Sequence, residues 1–177
     1  INAEILLNKM AVFDCLALFY GIMGVIFVIL LFVSVFRPSW NLRKIFHFVV
    51  FASLFLFLFH TLGLGIRWYV SGRAPWSNGY ESMIYIAWTS VLAGLVFARK
   101  AAGGMAATMI LSSTILLVAM LSYLDPEITP LVPVLNSYWL TIHVSLEAGS
   151  YGFLLLGAII ALLNLCLMAV SSQKNSL

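Results

Sequence analysis

The sequence predicts an all-α fold, a polytopic transmembrane bundle of five helices, and three observations predict it. Of the 177 residues, 63% are hydrophobic and 8% are charged, whereas a soluble domain carries about 25% charged residues. That leaves too little polar surface to cover a water-soluble globule of this size. The apolar residues gather into five runs, each close to or above the roughly 20 residues needed to cross a bilayer. Short polar links join the runs, and neither a β-barrel alternation nor an internal repeat is visible.

The elements follow in order. The first run covers about 11–36 and ends at the link "RPSWNLRK". The second, about 45–68, leads into "YVSGRAPWSNG", and the third, about 80–98, into "ARKAAGG". The fourth, about 104–123, precedes "LDPEITPLVPVLNS", and the fifth covers about 138–170. In lipid every backbone polar group must pair within its own segment, so the runs are expected to be helices. The first and last exceed the minimum and are expected to tilt or project. Residues 1–177 read as one membrane domain. Residue 1 is Ile, and no basic stretch with a short apolar core marks a cleavable signal, so the chain is expected to be a piece of a longer protein.

Basic residues set the expected orientation. Arg37, Arg43, Lys44, Arg99, Lys100 and Lys174 fall on one side of the membrane, and Lys9, Arg67 and Arg73 on the other. By the positive-inside rule the first set is cytoplasmic, with the N-terminus outside and the C-terminus inside. Glu4, Glu81, Asp125 and Glu127 then fall outside. The formal net charge of +3 gives no reason to expect a nucleic acid. Lipid is the partner that composition demands.

Two links are thus expected at the extracytoplasmic face. One carries Pro126, Pro130 and Pro133 and should be stiff and extended. The other, "SGRAPWSNGYES", packs Arg73, Pro75, Trp76, Asn78, Tyr80 and Glu81 into nine positions. Trp68, Tyr69, Trp76, Tyr80, Tyr138 and Trp139 flank the two, where an interfacial aromatic belt would sit. Trp76, mid-link beside Pro75, reads as a cover for a flat ligand or as a lock between helices.

Cys15 and Cys166 lie in apolar runs, with no C-x-x-C and no C-x-x-C-H, so the chain is neither a c-type cytochrome nor a thiol carrier by motif. No zinc spacing, phosphate loop or nucleophile motif is present. The titratable residues within the runs remain. Ionisable groups inside spans are costly and mark function unless paired. His47 lies near the cytoplasmic end of the second run, beside Arg43 and Lys44, where an interfacial role suffices. His60 lies 13 residues on, about 20 Å along the helix axis. His143 lies four residues after Trp139, at a depth comparable to His60 on another helix, so the two are candidates to clasp a haem. Glu147 sits one turn below His143 on the same face. It reads either as a neutral acid bonded to a neighbouring helix or as the partner that orients His143. Small residues at spacing four (Ser145–Gly149, Ala148–Gly152, Gly157–Ala161) predict a face of the fifth helix that packs closely on another span, with the His143 face turned to a cavity.

Two stretches carry a family resemblance. "RWYVSGRAPWSNGYESMIYIAW" (67–88) holds an Arg-Trp, a Gly-x-x-Pro turn, a Ser-Asn and a Tyr-Glu-Ser, and "LVPVLNSYWLTIHVSLEAGSYG" (131–152) holds a Leu-x-Pro-x-Leu run, a Trp, a His-Val and a Ser-Tyr. In this order, with four spans correctly placed, they resemble the CcsA-type haem-handling membrane protein of system II cytochrome c biogenesis. The resemblance implies an integral protein of the bacterial inner membrane, with its working loops on the extracytoplasmic face. It implies haem b as the transported substrate, presented at the outer face to apocytochrome c. It also implies a second assembly subunit of the CcsB type, separate or fused.

Among this chain's residues, His143 matches the first of two outer-face histidines and becomes the candidate axial ligand of the haem iron. Trp76, Arg73 and Arg67 are candidates to contact the haem or its propionates. His60, His47 and Glu147 match no motif and rest on position. Arg73 stands where the family often carries His; it can meet a propionate but cannot ligate iron. The family's tryptophan-rich WWD segment and second outer histidine fall beyond the end of this chain. Whether the whole protein is itself a holocytochrome c synthase stays open, as does transport of another amphipathic or anionic compound.

Overall fold

The computed structural model describes residues 11–37, 39–121, 126–128 and 137–174. They form five helices: α1 (Val12–Phe36), α2 (Arg43–Ser71), α3 (Gly79–Ala93), α4 (Ala102–Leu121) and α5 (Tyr138–Lys174). No strand occurs among the described residues. All five helices are long and apolar enough to cross a membrane, with α3 continuing through a π-helical turn, Gly94–Ala98. At about 1.5 Å per residue, the 29 residues of α2 and the 37 of α5 exceed the roughly 30 Å hydrocarbon core.

Polarity is turned inside out, as lipid requires. The buried seam of α2 carries Ser53, His60 and Arg67, seven residues apart, while Phe48, Phe51, Phe55 and Leu62 are exposed. Seven residues return a helix to within about 20° of the same face, so the three polar groups lie in one line. Each finds company inside the bundle, and the phenylalanines face outward.

Helix α4 is flanked by α1 and α3, α2 lies against α1 and more lightly against α3, and α5 packs on α3 and the edge of α4. The core fills from Leu16, Tyr20, Phe27, Ile84, Met105, Met109 and Leu116, all essentially fully buried. Side-chain hydroxyls tie helices together where the chains come close. Ser113 Oγ donates to the Ala17 carbonyl at 2.7 Å, and Ser112 Oγ to that of Ala87 at 3.2 Å. Glycine opens two of the closest approaches. A side chain at Gly24 would run into Ile110, and one at Gly152 would meet Thr89, the Ser90 nitrogen at 2.8 Å and the Ile86 carbonyl at 2.9 Å.

Boundaries differ from the sequence expectation where local chemistry decides them. Helix α2 starts at Arg43 and runs on to Ser71. It stops because Gly72 takes φ 65°, which lets its N–H reach back to the Trp68 carbonyl at 3.0 Å. The π-helical turn was not foreseen; it begins at Gly94, pressed on Thr108 of α4. Of the three small-residue pairs on α5, Ala148, Gly149 and Gly152 are buried as expected. Gly157–Ala161 is not a packing pair among the described residues: Ala161 is exposed, and none of them lies within 4 Å of a Cβ at Gly157. Residues 122–123 of the fourth run, Lys9, Glu4, Asp125 and most of the proline-rich link lie outside the described residues.

Candidate functional site

The polar link between α2 and α3 sits at one end of the bundle. Asn78 opens α3: its side chain accepts the Glu81 N–H at 2.7 Å, a standard N-cap. That cap places Glu81 in the first turn, where the positive end of the helix dipole favours a carboxylate. Glu81 is fully buried and accepts from both sides. Arg67 Nε donates to Oε1 at 3.2 Å; Arg73 Nη1 donates to Oε2 at 2.7 Å, and the Ser77 N–H to the same oxygen at 3.0 Å. Arg67 is 2% exposed. Its Nη1 donates to the Pro126 carbonyl at 3.0 Å, and its guanidinium lies 5.1 Å from the centre of the Tyr80 ring. Its Nη2 is buried without a hydrogen-bond partner among the described residues. Arg73 is 18% exposed and edges the site.

Aromatic rings form a chain beside this cluster. Trp68 meets Trp76 edge-on at 5.5 Å, Trp76 meets Tyr85 at 4.8 Å, and Tyr85 stacks with Trp88 at 5.8 Å and 15°. Trp88 stacks in turn with Phe57 at 5.3 Å, and its indole N–H donates to Thr61 Oγ1 at 2.8 Å. The indole N–H of Trp76 donates at 3.3 Å to the Thr141 carbonyl, in the first turn of α5. The link and the start of α5 are therefore joined. Below them a groove of about 480 Å³ opens between α3 and α5, lined by Tyr85, Trp88, Thr89, Ser145, Gly149 and Phe153 among others.

His143 stands two residues beyond Thr141 and is 74% exposed. Its Nε2 lies 3.8 Å from Glu147 Oε2, too long for a hydrogen bond. The Tyr151 hydroxyl donates to Glu147 Oε1 at 3.2 Å. His143, Glu147 and Tyr151 thus form one exposed stripe at spacing four. Among the described residues, Glu147 bonds within its own helix rather than to a neighbouring one.

The other two histidines lie apart from it. His60 is completely buried, its Nδ1 3.3 Å from the Tyr20 hydroxyl, with Phe13 edge-on at 5.7 Å. Its Nε2 has no hydrogen-bond partner among the described residues. The structure does not bring His60 and His143 together: one ring is enclosed against α1, and the other is exposed on α5. His47 is exposed, and its Nδ1 donates to the Arg43 carbonyl at 2.6 Å. It belongs to the opposite end of the bundle.

Glu81, named in the sequence only as part of the link and of the Tyr-Glu-Ser stretch, is the central residue of the cluster. The signal was present in the Asn78-x-x-Glu81 spacing, which resembles the reciprocal cap that fixes a carboxylate at a helix start. Arg67 and Arg73, 14 and 8 positions upstream, complete the cluster.

Fold and site together define a polytopic helical membrane protein with a buried arginine–carboxylate cluster and an exposed histidine stripe near one end. Residues 76–176, more than half of the chain, match the family model described as "Cytochrome C assembly protein". The chain belongs to this cytochrome c assembly family, of the CcsA type. It is similar to protein NrfI of Wolinella succinogenes, 42% identical over 179 residues, which cover 99% of this chain and 20% of that protein. It is similar to the cytochrome c biogenesis protein CcsA of Prochlorococcus marinus, 38% identical over 106 residues (58% of this chain, 33% of the relative). The CcsA of Guillardia theta is 29% identical over 141 residues (77% of this chain, 47% of the relative). The chain spans from a fifth to about half the length of these relatives.

Proposed function

We propose that this chain forms part of a unit that carries haem to one face of the membrane and presents it to apocytochrome c for covalent attachment. The single observation that carries this reading is the exposed imidazole of His143, standing on the α5 turn to which Trp76 is bonded. A neutral imidazole with an open nitrogen is what haem iron takes as an axial ligand. The residues present fit such a substrate. Trp76 supplies an aromatic edge beside the α5 turn that carries His143, and Arg73 supplies a partly exposed guanidinium.

In this reading His143 ligates the iron, and Glu147 lies where it acts on the imidazole electrostatically. Arg73, partly exposed, is the propionate contact; Arg67 is enclosed and serves through Glu81. His60 and His47 supply no ligand to the same haem. The haem is haem b, handed over reduced, and the thioether bonds form at the acceptor's own thiols, so the protein's share is binding, orientation and exclusion of water. The working link faces the extracytoplasmic side of a bacterial inner membrane, with N-terminus outside and C-terminus inside, as the basic residues argue. A second assembly subunit of the CcsB type completes the synthase. The family match favours this over transport of an unrelated amphipathic compound.

The test is the absorption spectrum of the full-length protein purified from membranes, beside that of His143→Ala. A low-spin haem signal is expected in the parent, weakened or altered in ligation in the variant. A parent that never copurifies with haem overturns the reading.

A further inference from the structure

We infer that Glu81 is a positioning residue for haem ligation: by clamping Arg67 and Arg73 it fixes Trp76 on the Thr141 carbonyl, and so sets the α5 turn that carries His143. The inference rests on the reading of His143 as a haem ligand, and extends it to a residue that does not touch haem.

Residues 72–78 must cross from the end of α2 to the start of α3. Glu81 grips this link near both ends, at Arg73 through Nη1 and at Ser77 through its N–H, on one carboxylate oxygen. Its other oxygen holds Arg67 in α2. Trp76 lies between the two gripped residues. Its ring is wedged between Trp68 of α2 and Tyr85 of α3, which leaves the indole N–H aimed at Thr141. One buried carboxylate thus determines where the indole stands, and the indole is bonded to the turn that carries His143.

The charge matters as well as the shape. Among the described residues, the groups that meet the two carboxylate oxygens are all donors: Arg67 Nε, Arg73 Nη1 and the Ser77 N–H. A glutamine of the same shape would turn one oxygen into an NH₂, setting donor against donor, and would deprive the enclosed Arg67 guanidinium of its charged partner. The link would loosen at one grip while the rest of the bundle stayed closed.

The experiment uses the full-length protein with Glu81→Gln and Trp76→Phe. Hydrogen exchange is followed in 72–78 and 138–144, with the α4 segment 105–119 as internal reference, alongside the haem spectrum. Glu81→Gln is expected to speed exchange about tenfold in both outer segments and to leave 105–119 unchanged. Trp76→Phe, which removes one N–H and no charge, is expected to speed exchange in 138–144 alone. Both haem spectra are expected to move toward that of His143→Ala. The inference is overturned if Glu81→Gln loosens 72–78 while 138–144 and the haem spectrum stay as in the parent. Should Glu81→Gln fail to accumulate, unchanged protection of 138–144 in Trp76→Phe overturns it equally. A parent without haem ends the haem reading, and the exchange data still decide whether Glu81 holds the α5 turn.

Discussion

Two polar regions lie near the same end of this apolar bundle, and they are built on opposite plans. In the Arg67–Glu81–Arg73 cluster both carboxylate oxygens have donors, and the carboxylate is fully enclosed. In the His143–Glu147–Tyr151 stripe the groups are 74% and 54% exposed at the first two positions, and their contacts stay within one helix. The contrast separates two uses of costly polar groups in a membrane protein. The cluster spends its hydrogen bonds on holding three segments of the chain together. The stripe keeps its histidine nitrogen available, which serves binding better than stability.

Three substitutions probe that contrast, in descending order of expected effect on stability. Arg67→Met removes one charge from the enclosed cluster, leaves the Pro126 carbonyl without its donor and strips Glu81 of a partner. Breaking a buried pair from one side costs about 3–5 kcal/mol, so thermal unfolding in detergent should shift down strongly. Unfolding within about 1 kcal/mol of the parent would break the comparison. Asn78→Ala removes the cap that seats Glu81, at a cost of about 1 kcal/mol, and the same assay should resolve it. Glu147→Gln, in the stripe, should change stability by no more than about 0.5 kcal/mol while altering the haem spectrum of the full-length protein. A large loss of stability there would show that the stripe is held much as the cluster is.

Much of this was legible in the sequence, for reasons particular residues show. The five helices were, because a run such as 12–36 holds a single acid, Asp14, and no base. The His143–Glu147 neighbourhood was too, since spacing four on a helix is a fixed geometry. What stayed hidden depends on how segments meet. The pairing of Glu81 with residues 14 and 8 positions upstream requires the end of α2 to lie beside the start of α3, which no local pattern states. His60 misled in the same way. Its depth along α2 can be counted from the sequence, but its direction around the axis cannot be had from depth alone. The clue was the line of Ser53, His60 and Arg67 on one face. The π-helical turn at Gly94 follows from its contact with Thr108, a long-range fact.

The absent side chain at Gly152 has a consequence beyond close packing. Gly152 presses α5 directly onto the backbone of α3. His143 precedes it by nine residues, which at about 100° per residue is two and a half turns of helix. The contact that seats α5 therefore also aims the histidine, pointing it away from α3. The two positions are locked in phase: gaining or losing one residue between them would swing the imidazole through about 100°. Chain length between glycine and histidine is thus a quantity the fold has to keep, whatever residues fill it.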